Sequence, residues 1–184
     1  MRILAISGSL RSDSYNSALL RAAAEEAPQG TELALWQGLK EIPPYDADDD
    51  VEQGPAAVAA FREAVRTADA VLIATPEYNS SVPGALKNAL DWASRPLATN
   101  VFRNKPVAVI GSSTGAFGAV WAQAELRKVL GAMGARVADT ELAVGRADEK
   151  IDADGRVVDE EVRALIRDAL DVLAAETAPA LAAA

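Results

Sequence analysis

The sequence predicts an α/β protein in which a parallel sheet of five strands carries helices on both faces. Strand-like and helix-like segments alternate five times along the 184 residues, which is the pattern of a parallel sheet with helical crossovers. Two strand-like segments, 69–75 and 106–112, are almost continuously apolar, as parallel strands covered on both faces are. The length suits one domain, which we expect to span residues 1–176, with a flexible tail at 177–184.

The first half of the chain predicts two strands and two helices. An apolar strand is predicted at 2–7, and Ala and Leu at helical spacing predict a helix over 15–26. Alternation of apolar and polar residues over 31–37 predicts a half-exposed strand. The segment 38–54 holds two prolines and an acidic run, which predicts a surface loop. A helix should begin at Pro55, with these apolar residues on one face: Val58, Phe61 and Val65.

The second half predicts three strands and three helices. The buried strand 69–75 is followed by a predicted helix at 82–93, the buried strand 106–112 by a helix at 118–133, and a fifth strand is predicted at 135–142. The last helix has the clearest apolar face, formed by Val162, Leu165, Ile166, Ala169, Leu170 and Leu173.

Five strands in a chain of this length favour a flavodoxin-like three-layer sandwich with strand order 2-1-3-4-5. In open parallel sheets, ligands bind outside the carboxyl ends of the strands, where the strand order reverses. In this order the reversal lies between the first and third strands. The candidate site is therefore formed by the loops after strands one, three and four, which read SGSLRSDSYNS (7–17), TPEYNSSVPG (75–84) and GSSTGAFGA (111–119).

The first loop has the chemistry of a phosphate site. It carries several hydroxyl groups and one guanidinium, and it opens onto a helix whose free N–H groups and positive dipole end attract anions. It lacks the G-K-[ST] of a Walker loop and the G-x-G-x-x-G of a dinucleotide fold, so a phosphate monoester is the better candidate. The alternative is that Ser14 or Asn16 only caps the helix.

The second loop could frame a planar ring with polar edges. Pro76 stiffens the backbone, Tyr78 offers a flat face, and Asn79 can both donate and accept hydrogen bonds. The alternative is a Pro-rich turn whose tyrosine packs on a neighbouring residue.

The third loop contains GSSTG, which matches the G-x-S-x-G of a nucleophile elbow, with Ser113 as the nucleophile. A serine hydrolase needs a base, usually His, and the chain has no His. A Ser–Lys variant would need Lys87 or Lys105, and neither lies in a recognisable partner motif. A Gly/Ser loop that closes over a flat ligand explains the same residues without a base.

Composition excludes further classes of function. The absence of Cys and His removes disulfides, thiol nucleophiles and Cys/His zinc sites, and it is compatible with the cytoplasm. A net charge of −9 argues against nucleic acid as a partner. We expect no signal peptide and no membrane span. The acidic run YDADDD (45–50) lacks the spacing of an EF-hand, so we expect a solvated loop and no metal site.

Together the loops resemble the NAD(P)H-dependent FMN reductase family, the flavodoxin-like group that includes quinone, chromate and azo-dye reductases. GSLRSDSYN matches the family's G-S-L-R-x-x-S-x-N loop, and TPEYNSSVPGALKNALDW matches its P-E-Y-N-x-S-x-P-G-x-L-K-N-A-[IL]-D-W segment. SSTGAFGA matches the third flavin loop more loosely. The likeness extends from residue 1 to about residue 135 and then thins.

The resemblance implies the position of FMN. The phosphate and ribityl chain would contact Ser9, Arg11, Ser14, Tyr15, Asn16 and Ser17. The isoalloxazine ring would lie along Pro76, Glu77, Tyr78 and Asn79, with Ser112, Ser113 and Gly115 at its far edge.

The resemblance also implies the activity. NADPH or NADH would reduce the bound FMN, and a small acceptor such as a quinone, free flavin, chromate or an azo compound would then be reduced, with no catalytic side chain from the protein. A flavin-binding electron carrier without a nicotinamide step remains the alternative. Arg95 could meet the phosphates of the nicotinamide cofactor or only complement a helix C-terminus. The family implies a homodimer or homotetramer.

Overall fold

A parallel sheet forms the centre of the molecule. The structure is a computed structural model that describes residues 1–51 and 54–177. Its strands are β1 (Arg2–Ser7), β2 (Glu32–Trp36), β3 (Ala70–Thr75), β4 (Pro106–Ser112), β5 (Arg136–Val137) and β6 (Ala143–Val144). They follow the order β2-β1-β3-β4-β5, and β6 also pairs with β4. The predicted class and order are confirmed, but the predicted number of strands is one too low.

Helices cover both faces of this sheet. They are α1 (Tyr15–Glu25), α2 (Ala56–Thr67), α3 (Gly84–Ala93), α4 (Val120–Ala132), α5 (Ala147–Lys150) and α6 (Glu160–Thr177). The predicted starts of α1, α2, α3 and α4 and the predicted ends of α1, α3 and α4 agree to within two residues, whereas α5 was not predicted. Helices α1 and α6 pack on one face, and α2, α3 and α4 pack on the other.

Alternate residues of each central strand supply the two cores. In β1, Ile3 faces α1 and α6, whereas Leu4 and Ile6 face the opposite layer. Phe61 of α2 is fully buried in that second core, and burial of such a side chain contributes about 1.5–3 kcal/mol. Leu165 of α6 departs from the predicted apolar face, because its side chain is 38% exposed.

The predicted fifth strand is divided into β5 and β6. Arg127 of α4 lies at the gap and donates hydrogen bonds to the carbonyl oxygens of Val109 (3.1 Å), Ala138 (3.3 Å) and Thr140. Between β5 and β6, the guanidinium of Arg127 therefore binds the backbone of β4 where no neighbouring strand does. Burial lowers the pKa of Arg127, and the nearby carboxylates of Glu141 and Asp139 act in the opposite direction.

The described part of the segment between β2 and α2 has a partly buried start and an exposed acidic run: Leu39 and Ile42 are buried, whereas residues 46–49 are exposed, as predicted. It forms two 3₁₀ turns, Leu39–Glu41 and Ala47–Asp49. The carbonyl of Pro43 accepts hydrogen bonds from Trp92 Nε1 and Asn88 Nδ2, both at 2.8 Å. Side chains of α3 thus fix the backbone at the start of this segment. Within the described ranges, no group of three or more Asp or Glu residues is arranged to hold a metal ion.

Helix α6 is described as far as Thr177. The flexible tail predicted for 177–184 lies, apart from this residue, outside the described residues. In the part of the chain that the structure covers, no helix is both long and apolar enough to cross a membrane.

Candidate functional site

The loops after β1, β3 and β4 meet at one edge of the sheet. The register places Ser7 beside Ala74 and Thr75 beside Gly111. The backbone N–H of Gly8 donates to the carbonyl of Ala74 at 2.8 Å. A Cβ atom on Gly8 would lie only 2.9 Å from Leu86 Cδ2, so glycine allows the first loop to lie against the start of α3.

A chain of hydroxyl groups orders the first loop. Ser17 Oγ donates to Ser7 Oγ at 3.0 Å, and Ser7 Oγ accepts from the N–H of Ser9 at 3.3 Å. Ser9 Oγ in turn accepts from the N–H of Arg11 at 3.3 Å. Ser9 and Ser17 are partly exposed, and both lie close to the first turn of α1. The hydroxyls are therefore held beside the free N–H groups of a helix N-terminus.

Arg11 brings a positive charge to the same place. Its side chain is exposed, and its Cζ lies 5.3 Å from the centre of the Tyr15 ring. Its Nη2 donates to the carbonyl of Asp13 at 2.6 Å. Stacking on the ring and this bond hold the guanidinium over the start of α1, where it adds to the positive end of the helix dipole.

Ser14 and Asn16 are almost fully buried, each 3% exposed. Ser14 is the N-cap of α1, and its Oγ accepts from the N–H of Ser17 at 3.4 Å. Asn16 joins the first and third loops: its Nδ2 donates to the carbonyl of Ser112 at 3.1 Å, and its Oδ1 accepts from the N–H of Ser112 at 3.0 Å. Both side chains thus have structural partners.

The second loop is a tight hairpin turn. Tyr78 and Ser81 exchange two backbone hydrogen bonds of 3.1 Å. The two residues between them, Asn79 and Ser80, have φ values of 52° and 60°, a conformation that asparagine adopts more readily than most residues. Tyr78 is 52% exposed, so about half of its surface is open to a ligand.

Glu77 connects the second loop to α4. Its Oε2 accepts hydrogen bonds from the N–H groups of Trp121 and Ala122, both at 3.0 Å. The N-cap residue Ala119 has no side-chain oxygen for this purpose, so a distant carboxylate caps the helix and meets its positive dipole end. The sequence does not indicate this contact, because the residues are more than forty positions apart.

The third loop has no nucleophile elbow. Strand β4 ends at Ser112 and α4 begins only at Val120, whereas an elbow turns sharply from strand to helix. Neither candidate lysine serves Ser113: Lys87 pairs with Asp91 at 2.7 Å, and Lys105 donates to the carbonyl of Ala68. The geometry excludes the serine hydrolase.

The segment that follows β6 supports the third loop. Arg146 N–H donates to the carbonyl of Gly115, and Ala147 N–H donates to the carbonyl of Ser113, both at 3.0 Å. Gly118 has φ of 58°, and a Cβ atom there would collide with the backbone of Ala143. The loop is therefore fixed from behind, while its 114–117 portion is exposed.

Comparison with known proteins identifies the group to which this chain belongs. A family described as NADPH-dependent FMN reductase matches residues 1–149, which include all three loops. The chain belongs to this family. It is an FMN-dependent oxidoreductase that uses NAD(P)H, as the resemblance of its loops predicted.

Individual relatives agree with the family. An NAD(P)H-dependent FMN reductase of Pseudomonas aeruginosa is 44% identical over 94% of this chain and 93% of its own length. A quinone reductase of Escherichia coli K12 is 40% identical over 87% and 86%. Among solved structures, FerB of Paracoccus denitrificans, described as a flavoenzyme NAD(P)H:(acceptor) oxidoreductase, has a TM-score of 0.84 at 34% identity and covers 95% of this chain and 98% of its own. This likeness confirms the flavodoxin-like fold.

The donor set of the first loop fits the phosphate of FMN. A phosphate monoester offers several acceptor oxygens, and Ser9 and Arg11 present a hydroxyl and a guanidinium donor beside the N-terminus of α1, with Ser17 in its first turn. When bound, FMN supplies the chemistry of accepting a hydride and passing electrons on. The donors of the first loop therefore suit the phosphate of FMN, the cofactor of this family.

Two features of this edge were not predicted. Ser7 carries no distinguishing motif, yet its Oγ links Ser9 to Ser17. Phe117 and Trp121 are 64% and 50% exposed and form an edge-to-face pair with ring centres 5.0 Å apart. Apolar periodicity predicts that such aromatic residues are buried. Their exposure could not be predicted, because it depends on the tertiary fold. Arg95 is exposed just beyond α3, which leaves both interpretations of its role open.

Proposed function

We propose that FMN binds across the three loops, with its phosphate at the start of α1 and its ring beside the second and third loops. The supporting observation is that these loops lie together at the reversal of strand order and that only the first carries a phosphate donor set. The phosphate and ribityl contacts in this proposal are Ser9, Arg11, Tyr15 and Ser17. The ring contacts are Pro76, Tyr78, Asn79, Ser113 and Gly115.

The remaining predicted contacts have a supporting role in this proposal. Asn16 and Ser112 hold the first loop to the third, Ser14 caps α1, and Glu77 holds the second loop to α4. Their side chains would position the backbone groups that meet the flavin. Any direct contact of these residues with FMN would come chiefly from main-chain atoms.

The proposed acceptor is a quinone. Three relatives support this choice by name: the quinone reductase of Escherichia coli, a quinone reductase of Pseudomonas putida and a 2-hydroxy-1,4-benzoquinone reductase of Burkholderia sp.. A planar acceptor also suits the exposed Tyr78 and the aromatic pair of Phe117 and Trp121. Free flavin, chromate and azo compounds are the other acceptors to be tested.

No side chain is proposed as a catalytic acid or base. The chain has no His, and hydride transfer between a nicotinamide and a flavin needs no protein proton donor. The protein is proposed to bind and orient FMN and to leave one face of the flavin open to two substrates in turn, first NAD(P)H and then the acceptor.

We further propose a homodimer in the cytoplasm, with a homotetramer of two such dimers as the alternative assembly. The support for association is apolar surface near the flavin loops: Phe117, Trp121 and Val120 are 64%, 50% and 42% exposed. Exposed apolar groups that lie together commonly mark an interface.

The test is the visible absorption spectrum of the purified protein after addition of excess FMN and desalting, followed by NADPH without air. A retained flavin spectrum that bleaches with NADPH, and recovers when a benzoquinone is added, is expected. Retained flavin that NADPH does not bleach would instead indicate an electron carrier. Failure to retain flavin at any FMN concentration would contradict the proposed site.

A further inference from the structure

A polar cavity lies at the amino-terminal ends of the strands, at the edge of the sheet opposite the loops after β1, β3 and β4. Its volume is about 450 Å³, within the range of small-molecule sites. It lies where the chain enters β3, β4 and β5. The polar residues that line it are Asp69, Arg103, Asn104, Lys105, Arg136 and Thr177.

The charge of this cavity runs against that of the whole chain. Three cationic side chains face a single carboxylate, although the chain carries a net charge of −9. The carboxylate of Asp69 is already engaged, because it accepts the N–H of Arg2 at 2.7 Å. The cavity is therefore locally positive, as a site for an anion would be.

Backbone carbonyls hold all three cations in place. Arg136 Nη2 donates to the carbonyl of Glu176 at 2.7 Å, Arg103 Nη2 donates to the carbonyl of Leu97 at 3.2 Å, and Lys105 Nζ donates to the carbonyl of Ala68. Each guanidinium keeps further donors, and the ammonium of Lys105, which also donates to the carbonyl of Arg66 at 3.5 Å, keeps one. Because these bonds already order the three long side chains, a ligand would lose less binding free energy in ordering them.

The side chain of Lys105 is partly buried. Burial lowers its pKa, the positive charge of Arg66 lowers it further, and Asp69 acts in the opposite direction. A bound anion would compensate for both effects by stabilising the ammonium form.

We propose that this cavity binds a phosphate-bearing anion of the size of a diphosphate or nucleotide. Two guanidinium groups suit phosphate, since each can donate two parallel hydrogen bonds to its oxygens. The proposed site is separate from the phosphate-binding loop of the flavin, because the two lie at opposite edges of the sheet. It also does not depend on which acceptor the enzyme reduces.

The experiment uses the holoenzyme, so that FMN already fills the flavin site. Isothermal titration calorimetry at low salt with pyrophosphate, and separately with ADP, should give saturable binding. Arg103→Gln and Arg136→Gln should each weaken it roughly tenfold or more, since each removes charge-assisted hydrogen bonds. Arg156→Gln makes the same change on an exposed loop outside the cavity and should leave the affinity unchanged. Retention of the flavin spectrum checks that each variant is folded.

Similar affinities for the two probes would assign recognition to the phosphates alone, and tighter binding of ADP would add contacts to the nucleoside. Either result supports the proposal when Arg103→Gln and Arg136→Gln weaken binding of the same probe. The proposal is overturned if neither probe binds saturably, if the cavity variants bind as tightly as the wild type, as they would with ADP in the nicotinamide site, or if Arg156→Gln weakens binding as much as they do.

Discussion

The side-chain amide of Asn16 binds both backbone groups of Ser112, a residue 96 positions further along the chain. The amide group accepts one hydrogen bond and donates the other, and it is almost fully buried. A side chain of the loop after β1 thus completes the backbone pairing of β4 beyond the sheet. The positions of the first and third loops are therefore coupled through one residue.

Asn16→Ala should therefore destabilise the protein. It leaves the N–H and C=O of Ser112 buried without partners, at a cost of about 2–4 kcal/mol in the free energy of unfolding. Urea denaturation measures this change, and FMN titration should show a parallel loss of affinity. Ser12→Ala, at an exposed position of the same loop, is the matched control. A variant as stable as the wild type would show that Ser112 finds other partners.

The sequence was sufficient to predict the layers, the strand order and the edge at which the loops meet. The layers follow from apolar periodicity, which reflects burial along each element. The strand order and the edge at which the loops meet follow from the number of strands in a chain of this length. The division of β5 from β6 could not be predicted, since it depends on Arg127 reaching three carbonyl groups from a different element. The cap that Glu77 provides to α4 is hidden for the same reason. Long-range side-chain to backbone bonds leave no periodic signal.

Arg11→Ala should weaken FMN binding and leave the fold intact. Loss of a charge-assisted bond to the phosphate costs about 1.5–3 kcal/mol, which corresponds to a tenfold or greater rise in the Kd. Because Arg11 is exposed, the denaturation midpoint without flavin should stay within a few tenths of a kcal/mol of wild type. Fluorescence quenching of FMN on binding gives the Kd. Equal affinity in Arg11→Ala and Arg156→Ala would remove Arg11 from the phosphate site.

Glu77→Ala should loosen the junction between the second loop and α4. It removes the acceptor for two helix N–H groups, and loss of such a cap costs about 0.5–2 kcal/mol. Glu77→Gln keeps an acceptor oxygen but loses the charge that meets the helix dipole, so its effect on unfolding should be smaller. If both variants unfold at the same denaturant concentration as wild type, the contact has no role in stability.

Glu26 should make stability depend on pH. Its carboxylate is bound by Arg167 at 2.7 Å and also by Arg163, and its side chain is 13% exposed. The hydrogen bond from Arg167 lowers the pKa of Glu26, although burial opposes the shift. Because the pKa in the folded state is below the unfolded value, the contribution to stability is complete above about pH 4.5 and is lost as the pH falls through the folded pKa.

The free energy of unfolding, measured by urea across a pH series, should therefore fall more steeply with acid in the wild type than in Glu26→Gln. Glu32→Gln, at an exposed position of β2, should retain the wild-type slope. An identical acid slope in Glu26→Gln and wild type would contradict this linkage.

Trp121→Gln should weaken the proposed dimer. A half-exposed tryptophan beside Phe117 is the kind of residue that dominates an interface, and its loss costs about 2 kcal/mol or more in association, or roughly a thirtyfold rise in the dimer Kd. The backbone N–H of Trp121 still reaches Glu77, so folding should be unaffected. Analytical ultracentrifugation over a concentration series measures the Kd. Val172→Gln, at a similarly apolar exposed position on α6, should leave it unchanged. A wild type that stays monomeric would exclude the dimer. Equal weakening in both variants would place the interface elsewhere.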